Sequence, residues 1–224
     1  MINTLNNQNN KTKVKINEDI SYLIGVLHSD GCIYRFKSKK RNFDSIRINL
    51  HVAHKSLPMI IKFQEIFLKY FNRRVNIRKV PNKNAYVIQT SINRIYYIFK
   101  EWEKGQIPIE INNNPSLFGA YLAGLIDGDG YVKLKNRKDR KLPQLVVWIA
   151  NNKPLFIIQN LIKKFMYCGA HISPVKDKNC YQTCFYITHK NLKFFKEFVR
   201  PYLTIIYKIT ELEKYEKIIE PARI

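Results

Sequence analysis

The sequence predicts an α+β fold of two pseudo-symmetric repeats, each an antiparallel four-stranded sheet covered by helices, with a central two-helix interface. Two observations predict it. First, Tyr22-Leu23-Ile24-Gly25-Val26-Leu27-His28-Ser29-Asp30-Gly31 matches Tyr121-Leu122-Ala123-Gly124-Leu125-Ile126-Asp127-Gly128-Asp129-Gly130 at the Tyr, first Leu, first Gly, last Asp and last Gly, at an offset of 99 residues. Second, the patterns that follow each copy run in the same order: strand, strand, helix, strand, strand, helix.

Residues 1–15 are polar and basic and read as a flexible N-terminal segment. The first repeat spans 16–103. Its apolar helix ends near Leu27, and a basic β-like run follows from Cys32 to Lys37. Then come an alternating strand from Ser45 to Val52 and a helix with Leu57, Ile60, Ile61, Ile66 and Phe67 at helical spacing. Strands from Arg74 to Val80 and Tyr86 to Thr90 and an aromatic helix from Ile95 to Trp102 complete it. A linker rich in Gly, Pro and Asn covers 104–115. The second repeat, 116–224, repeats the order with strands from Tyr131 to Arg137 and Gln144 to Ile149, then a helix carrying Leu155, Ile158, Leu161, Ile162 and Phe165. Strands from His171 to Lys176 and Tyr181 to Thr188, a helix from Leu192 to Val199 and a C-terminal helix from Ile209 to Ile219 end the chain.

The charge narrows the partners. Lys plus Arg number 39 against 17 Asp plus Glu, a net charge of +22, which calls for a polyanion: nucleic acid ahead of an anionic membrane surface. No apolar run reaches 18 residues and no secretion signal opens the chain, so neither a membrane partner nor export is expected. The expected location is intracellular, in a prokaryotic cytoplasm or an organelle. Four cysteines in 224 residues read as reduced thiols. Cys168, His171, Cys180 and Cys184 have zinc-ligand chemistry, but Cys180 and Cys184 would stand about 13 Å apart along a strand, too far for one tetrahedral ion.

Glycine inside a helix costs about 1 kcal/mol relative to alanine. Gly25 and Gly124 therefore point to close backbone approach, and the two motif helices are expected to pack on each other. Gly31 and Gly130 are expected to cap their C-terminal ends. Such packing brings Asp30 and Asp129 together, where two carboxylates repel unless a proton or a cation intervenes. Oxygen ligands favour Mg²⁺ or a similar hard divalent ion, whose chemistry suits phosphodiester hydrolysis.

Alternation along the second strand of each half turns Ile46, Ile48, Leu50 and Val52 to the core and Ser45, Arg47, Asn49 and His51 away from it. In the repeat Leu145, Val147 and Ile149 face inward, with Gln144, Val146 and Trp148 outward. The expected nucleic-acid face also takes Arg35, Lys37, Lys133, Lys135 and Arg137 from the first strands and Arg74, Asn76 and Arg78 from the third. Lys176, Gln182 and Tyr186 complete it in the second half. Arg, Asn and Gln suit bidentate contacts with base edges in the major groove. Two half-sheets of about 30 Å each cover on the order of 18 base pairs, and their unlike residues predict an asymmetric target.

Leu122 to Gly130 resembles the signature of the LAGLIDADG homing endonucleases, and Leu23 to Gly31 resembles a weaker second copy. Two motifs in one chain resemble the monomeric, pseudo-symmetric members of that family, over residues from about 17 to 217. The resemblance implies sheets that form a saddle in the DNA major groove, a central helix pair and Mg²⁺-dependent double-strand cleavage across the minor groove. It implies metal binding by Asp30 with the Ser29 carbonyl and by Asp129 with the Gly128 carbonyl. His28 stands where the other copy has Asp127. Where the family often has Gln-Lys to order the attacking water, this chain has His54-Lys55 and Asn151-Asn152-Lys153, which makes His54 and Asn151 catalytic candidates. Lys190, with Arg94 in the first half, is the candidate for a family lysine near the fourth strand's end. The alternatives are an RNA-binding maturase assisting intron splicing and a DNA-binding module without catalysis.

Overall fold

The computed structural model describes residues 14–37, 44–91, 98, 101–102, 104–136, 142–176 and 178–219. The expected N-terminal segment lies almost wholly outside these residues, as do Arg94 and Arg137.

The two motif helices, Glu18–Ser29 and Pro115–Asp129, form the centre. Each starts on an asparagine: Asn17 Oδ1 accepts from the Ile20 N–H at 3.0 Å, and Asn114 Oδ1 accepts from Ser116 and Leu117 at 2.9 and 3.3 Å. Both helices are apolar nearly all round, as fits helices buried between two sheets. They cross at the glycines. A Cβ on Gly25 would lie 2.2 Å from the Tyr121 carbonyl oxygen, and one on Gly124 would lie 2.2 Å from that of Tyr22. The same contact, made twice across a pseudo-twofold axis, is the reason for both glycines.

Gly31 and Gly130 do not act as left-handed caps. Gly130 has extended backbone (φ −84°, ψ 150°), and Asp30 closes the first helix in a helical conformation. Each glycine is instead the first residue of a strand that leaves its helix at once. A Cβ there would come within 2.5 Å of the Leu27 carbonyl oxygen or 2.4 Å of that of Ile126.

The strands are β1 (Gly31–Lys37), β2 (Asp44–Ala53), β3 (Ile77–Lys79) and β4 (Ala85–Ser91), then β5 (Gly130–Lys135), β6 (Gln144–Asn151), β7 (Ala170–Pro174) and β8 (Tyr181–Ile187). They form two antiparallel sheets of the same topology, ordered β1-β2-β4-β3 and β5-β6-β8-β7. Gly31 stands opposite Leu50 and Gly130 opposite Ile149, so the 99-residue offset holds through the first two strands of each half. β3 is shorter than expected. Val75 turns into the core ahead of it and its carbonyl accepts from Gln64, leaving Arg74 and Asn76 exposed outside the ladder.

Helices Leu57–Phe71 and Phe156–Met166 cover the inner faces of the sheets. In the first of them Met59, Ile60, Phe63, Ile66 and Phe67 are buried, whereas Ile61, expected inside, is 43% exposed. The linker holds a short helix, Ile109–Asn113, anchored by buried Ile107 and Ile111. Of the aromatic helix expected from Ile95 to Trp102, only residues 98, 101 and 102 are described, and all are helical. Its counterpart is a turn of α-helix, Leu192–Phe194, running into a wider π-helical turn, Phe195–Val199.

The C-terminal helix, Ile206–Ile219, lies against edge strand β5, where Glu211 Oε2 accepts from the Leu134 N–H at 2.9 Å. That contact covers an edge otherwise open to pairing. Arg200 ties the same helix down through Glu213 and Glu216, both at 3.1 Å. Among the described residues no helix is long and apolar enough to cross a membrane, and no three His, Cys, Asp or Glu side chains gather as a metal cluster. The four cysteines are free thiols.

Candidate active site

Crossing at Gly25 and Gly124 brings the C-terminal ends of the motif helices together, and the Asp30 and Asp129 carboxyls stand close enough there to act on each other. Burial and then the neighbouring Asp129 charge push Asp30 up to about 7. Burial also raises Asp129, opposed by Lys208 and by the bond to Asp30. The pair is thus biased against carrying two full negative charges. Ser29 and Gly128 meet beside them. A Cβ on Gly128 would collide with Ser29 Oγ, which itself donates back to the Gly25 and Val26 carbonyls at 3.1 and 3.0 Å.

Behind the acids the helices exchange tyrosines. Tyr22 donates to Asp127 Oδ2 at 2.8 Å, and the N–H and hydroxyl of Thr204 donate to the same oxygen, each at 2.8 Å. At the symmetry-related position, Tyr121 Oη lies 3.0 Å from His28 Nδ1. His28 therefore keeps the cross-helix bond that its position calls for. Its ring stacks on Trp102 at 4.0 Å, and burial pushes its pKa down to about 3, so it is neutral.

Lys208, missed by the sequence reading, is the cation of the site. It is 1% exposed, and its ammonium donates to the Ile126 and Asp127 carbonyls at 2.5 and 2.9 Å, at the negative end of the second motif helix. Burial lowers its pKa to about 8, against the pull of Asp127, Asp30 and Asp129. A signal for it was present. Lys208, Leu212, Tyr215 and Ile219 share one buried face of the C-terminal helix, and a lysine at a core position is seldom there without a partner.

The strand-end candidates separate. His54 is exposed just beyond β2, its ring 5.7 Å from that of Tyr86 and its N–H bonded to the Asn84 carbonyl at 3.0 Å. Its neighbour Lys55 lies over the Tyr207 ring at 5.3 Å and acts electrostatically on Lys208. Asn151 is not the counterpart of His54. It stands opposite Tyr181 as Val52 stands opposite Tyr86, on the core-facing side. It is 8% exposed, and its amide donates to the His28 carbonyl at 3.2 Å while accepting from the Lys153 N–H at 3.2 Å. Lys190 belongs to the other end of its sheet. Thr183 shares the row of Gly130 and Ile149, whereas Lys190 follows Ile187, more than about 13 Å further along the strand.

On the outer faces, Arg47, Asn49 and His51 in β2 share a side with Tyr34 in β1, Gln89 in β4 and Arg78 in β3. Arg78 donates to Gln89 at 3.4 Å. Arg35 and Lys37 have the opposite parity: Arg35 pairs with Ile46 and Lys37 with Asp44, in phase with Ile33 rather than Tyr34. The 99-residue offset maps Lys133 onto Tyr34 and Lys135 onto Phe36, a signal that the basic run obscured. The side chains of Arg35, Lys37 and Ser45 lie outside the described residues.

In the second sheet Lys133, Lys135, Gln144, Trp148, Gln182 and Tyr186 share the outer side. Val146 has that parity too but is 1% exposed, covered by its neighbours. Lys176 is exposed in the turn after β7. His171 pairs with Cys184 on this side, and burial raises the Cys184 thiol.

No family model matches the chain. An uncharacterized protein of Methanocaldococcus jannaschii is 29% identical over 133 residues, which cover 57% of this chain and 48% of that protein. A DNA polymerase of the same organism is 29% identical over 125 residues, 52% of this chain and 7% of the polymerase. The chain thus spans about half the length of the first of these relatives and a small part of the second. Among solved structures, the homing endonuclease I-DmoI in complex with DNA and Ca has a TM-score of 0.60 at 20% identity, covering 89% of this chain and all of that one. The LAGLIDADG homing endonucleases I-LtrWI and I-GzeII, each bound to target DNA, have TM-scores of 0.55 and 0.56 at 16% and 13% identity, covering 93% of this chain and 92% of theirs. Two motif helices crossing at glycine, with paired acids at their ends and a matched sheet on either side, are the two-repeat, single-chain fold of the LAGLIDADG homing endonucleases.

Proposed function

We propose that this protein is a site-specific DNA endonuclease that cleaves both strands of a long asymmetric duplex, acting as a monomer with a divalent cation. The observation that carries the reading is the Asp30–Asp129 pair: two half-buried acids, close enough to act on each other at the ends of duplicated helices, in a chain of net charge +22. Homing endonucleases of the same fold solved with DNA and with Mn, Mg or Ca support duplex DNA and a divalent ion, and favour DNA over intron RNA as the partner.

The donor set fits such an ion. Burial drives both carboxyls toward the neutral form and the Asp129 charge adds to it at Asp30, a conflict that a cation relieves. Asp30 and Asp129, with the Ser29 and Gly128 carbonyls, would hold it. Hard oxygen ligands suit Mg²⁺. When bound, the metal would polarise the phosphate and lower the pKa of water.

The chain's own groups surround that chemistry. Lys208 holds the second helix end and adds positive charge beside the acids, and Lys55 extends that charge toward the strand end. His54 is the exposed group able to orient water in the first half. Asn151 positions the first motif through the His28 carbonyl, and Lys190 stands at the far end of its sheet from the acids.

The test uses purified protein, a randomised duplex library for selection of the site, and plasmids carrying the selected site with Mg²⁺ or Mn²⁺. Asp30→Asn and Asp129→Asn should each bind the site within about threefold of wild type and lose double-strand cleavage. Undiminished cleavage by both variants overturns the reading.

A further inference from the structure

We propose that the two sheets read DNA by different chemistry: the first through hydrogen bonds to purine edges, the second through apolar contact with thymine methyl groups. The inference rests on the DNA-endonuclease reading and names what each half recognises.

The central outward positions of the two sheets are related by the repeat. Along β2 and β6 the 99-residue offset pairs Arg47 with Val146, Asn49 with Trp148, and His51 with Ala150. The adjoining strand makes the same exchange in the first two of these rows and the reverse in the third, where His51 stands beside Val87 and Ala150 beside Gln182. Asn49 stands beside Gln89 and Arg47 beside Ser91, whereas Trp148 stands beside Cys184 and Val146 beside Tyr186. At the central row the first sheet thus presents the amides of Asn49 and Gln89 and the second the indole of Trp148 and the Cys184 sulfur, with Val146 buried beside them.

Trp148 is also held in place. Tyr131 packs against it with ring centroids 5.6 Å apart, and the Lys135 ammonium lies 4.4 Å over its ring. Tyr131 and Tyr186 stay exposed at its margins. An indole has one donor and no acceptor, so it cannot form the bidentate pairs that Arg or Asn makes with guanine or adenine. It can pack on the C5-methyl of thymine, the apolar group of the major groove. Lys133 and Lys135 rim the platform with positive charge, which suits a phosphate-bordered groove and opposes an apolar protein partner.

The experiment uses the full chain as Asp30→Asn, so that binding is read without cleavage, and a duplex selected from a randomised library. Repeating the selection with Asn49→Ala on the same background identifies the half-site under the first sheet, where base preference should relax. Thymines are then replaced by deoxyuridine, which removes only the methyl, in one half-site at a time.

Replacement under the second sheet should weaken binding about fourfold per contacted methyl, the worth of one buried methyl group. Replacement under the first sheet should leave Kd within about twofold. Trp148→Ala should abolish the difference, and because the probe alters only the DNA, a folding defect in that variant leaves the comparison intact. Equal tolerance of deoxyuridine in both half-sites, a selected second half-site without thymine, or self-association lost on Trp148→Ala would overturn the inference. Failure to enrich any duplex would instead count against the DNA-endonuclease reading.

Discussion

At the scale of single residues, the site is an arrangement of charges that only partly cancel. Lys208 faces Asp30, Asp127 and Asp129 from the C-terminal helix, and no other described lysine bonds the second motif's carbonyls. Lys208→Met should lower single-turnover cleavage about 10²–10³-fold, the usual loss when a positioned electrostatic group is removed, with DNA affinity changed much less. Unchanged single-turnover cleavage excludes this role. The acid pair makes the metal-free protein sensitive to pH. Asp30 has its folded pKa raised to about 7 from 3.8, so the folded chain keeps a proton that the unfolded chain releases. Its contribution to stability is full below about pH 4 and is lost as pH rises toward 7. Melting temperatures measured in a chelator should carry this decline, and Asp30→Asn should flatten it. A slope no smaller in Asp30→Asn would exclude the pair as its source.

At the scale of elements, most of what positions the site was legible in the sequence, because repetition and alternation are strong signals where both faces of an element are constrained. The crossing at Gly25 and Gly124 and the core faces of β2 and β6 follow from them directly. The failures have local causes. Arg35 and Lys37 drew attention by charge, although strand parity counted from Gly31 sets them in phase with the core. Lys190 follows the end of β8, at the end of the sheet away from Gly130 and Ile149. Asn151 resembles a catalytic polar residue in sequence and is a helix-end ligand in space. Lys208 lay outside every motif and could be found only as a cation on a buried helix face. The helix crossing gives a further prediction. Gly25→Ala places a Cβ 2.2 Å from a backbone oxygen and should cost about 3 kcal/mol or more in denaturant unfolding, beyond the gain in helix propensity. Gly169→Ala, with nothing within 4 Å, should stay within about 0.5 kcal/mol. Equal effects would mean that the crossing is looser than described.

At the scale of the whole molecule, a net charge of +22 should make DNA binding strongly dependent on salt. If 6–10 phosphates are neutralised, affinity should fall about 10³–10⁵-fold between 50 and 200 mM salt. Filter-binding or anisotropy titrations across that range measure the slope, and a flat response would exclude a phosphate-led interface.

The bond from Asn151 to the His28 carbonyl has a consequence for the two halves. Asn151 serves the first motif's helix end, whereas the equivalent end of the second, at Asp127, is taken by Lys208. Two copies of the second half placed together would bring an amide and an ammonium to a single carbonyl. Two copies of the first would bring Val52 and no cation. The second half therefore supplies the polar partner of both helix ends, and the two halves are no longer interchangeable.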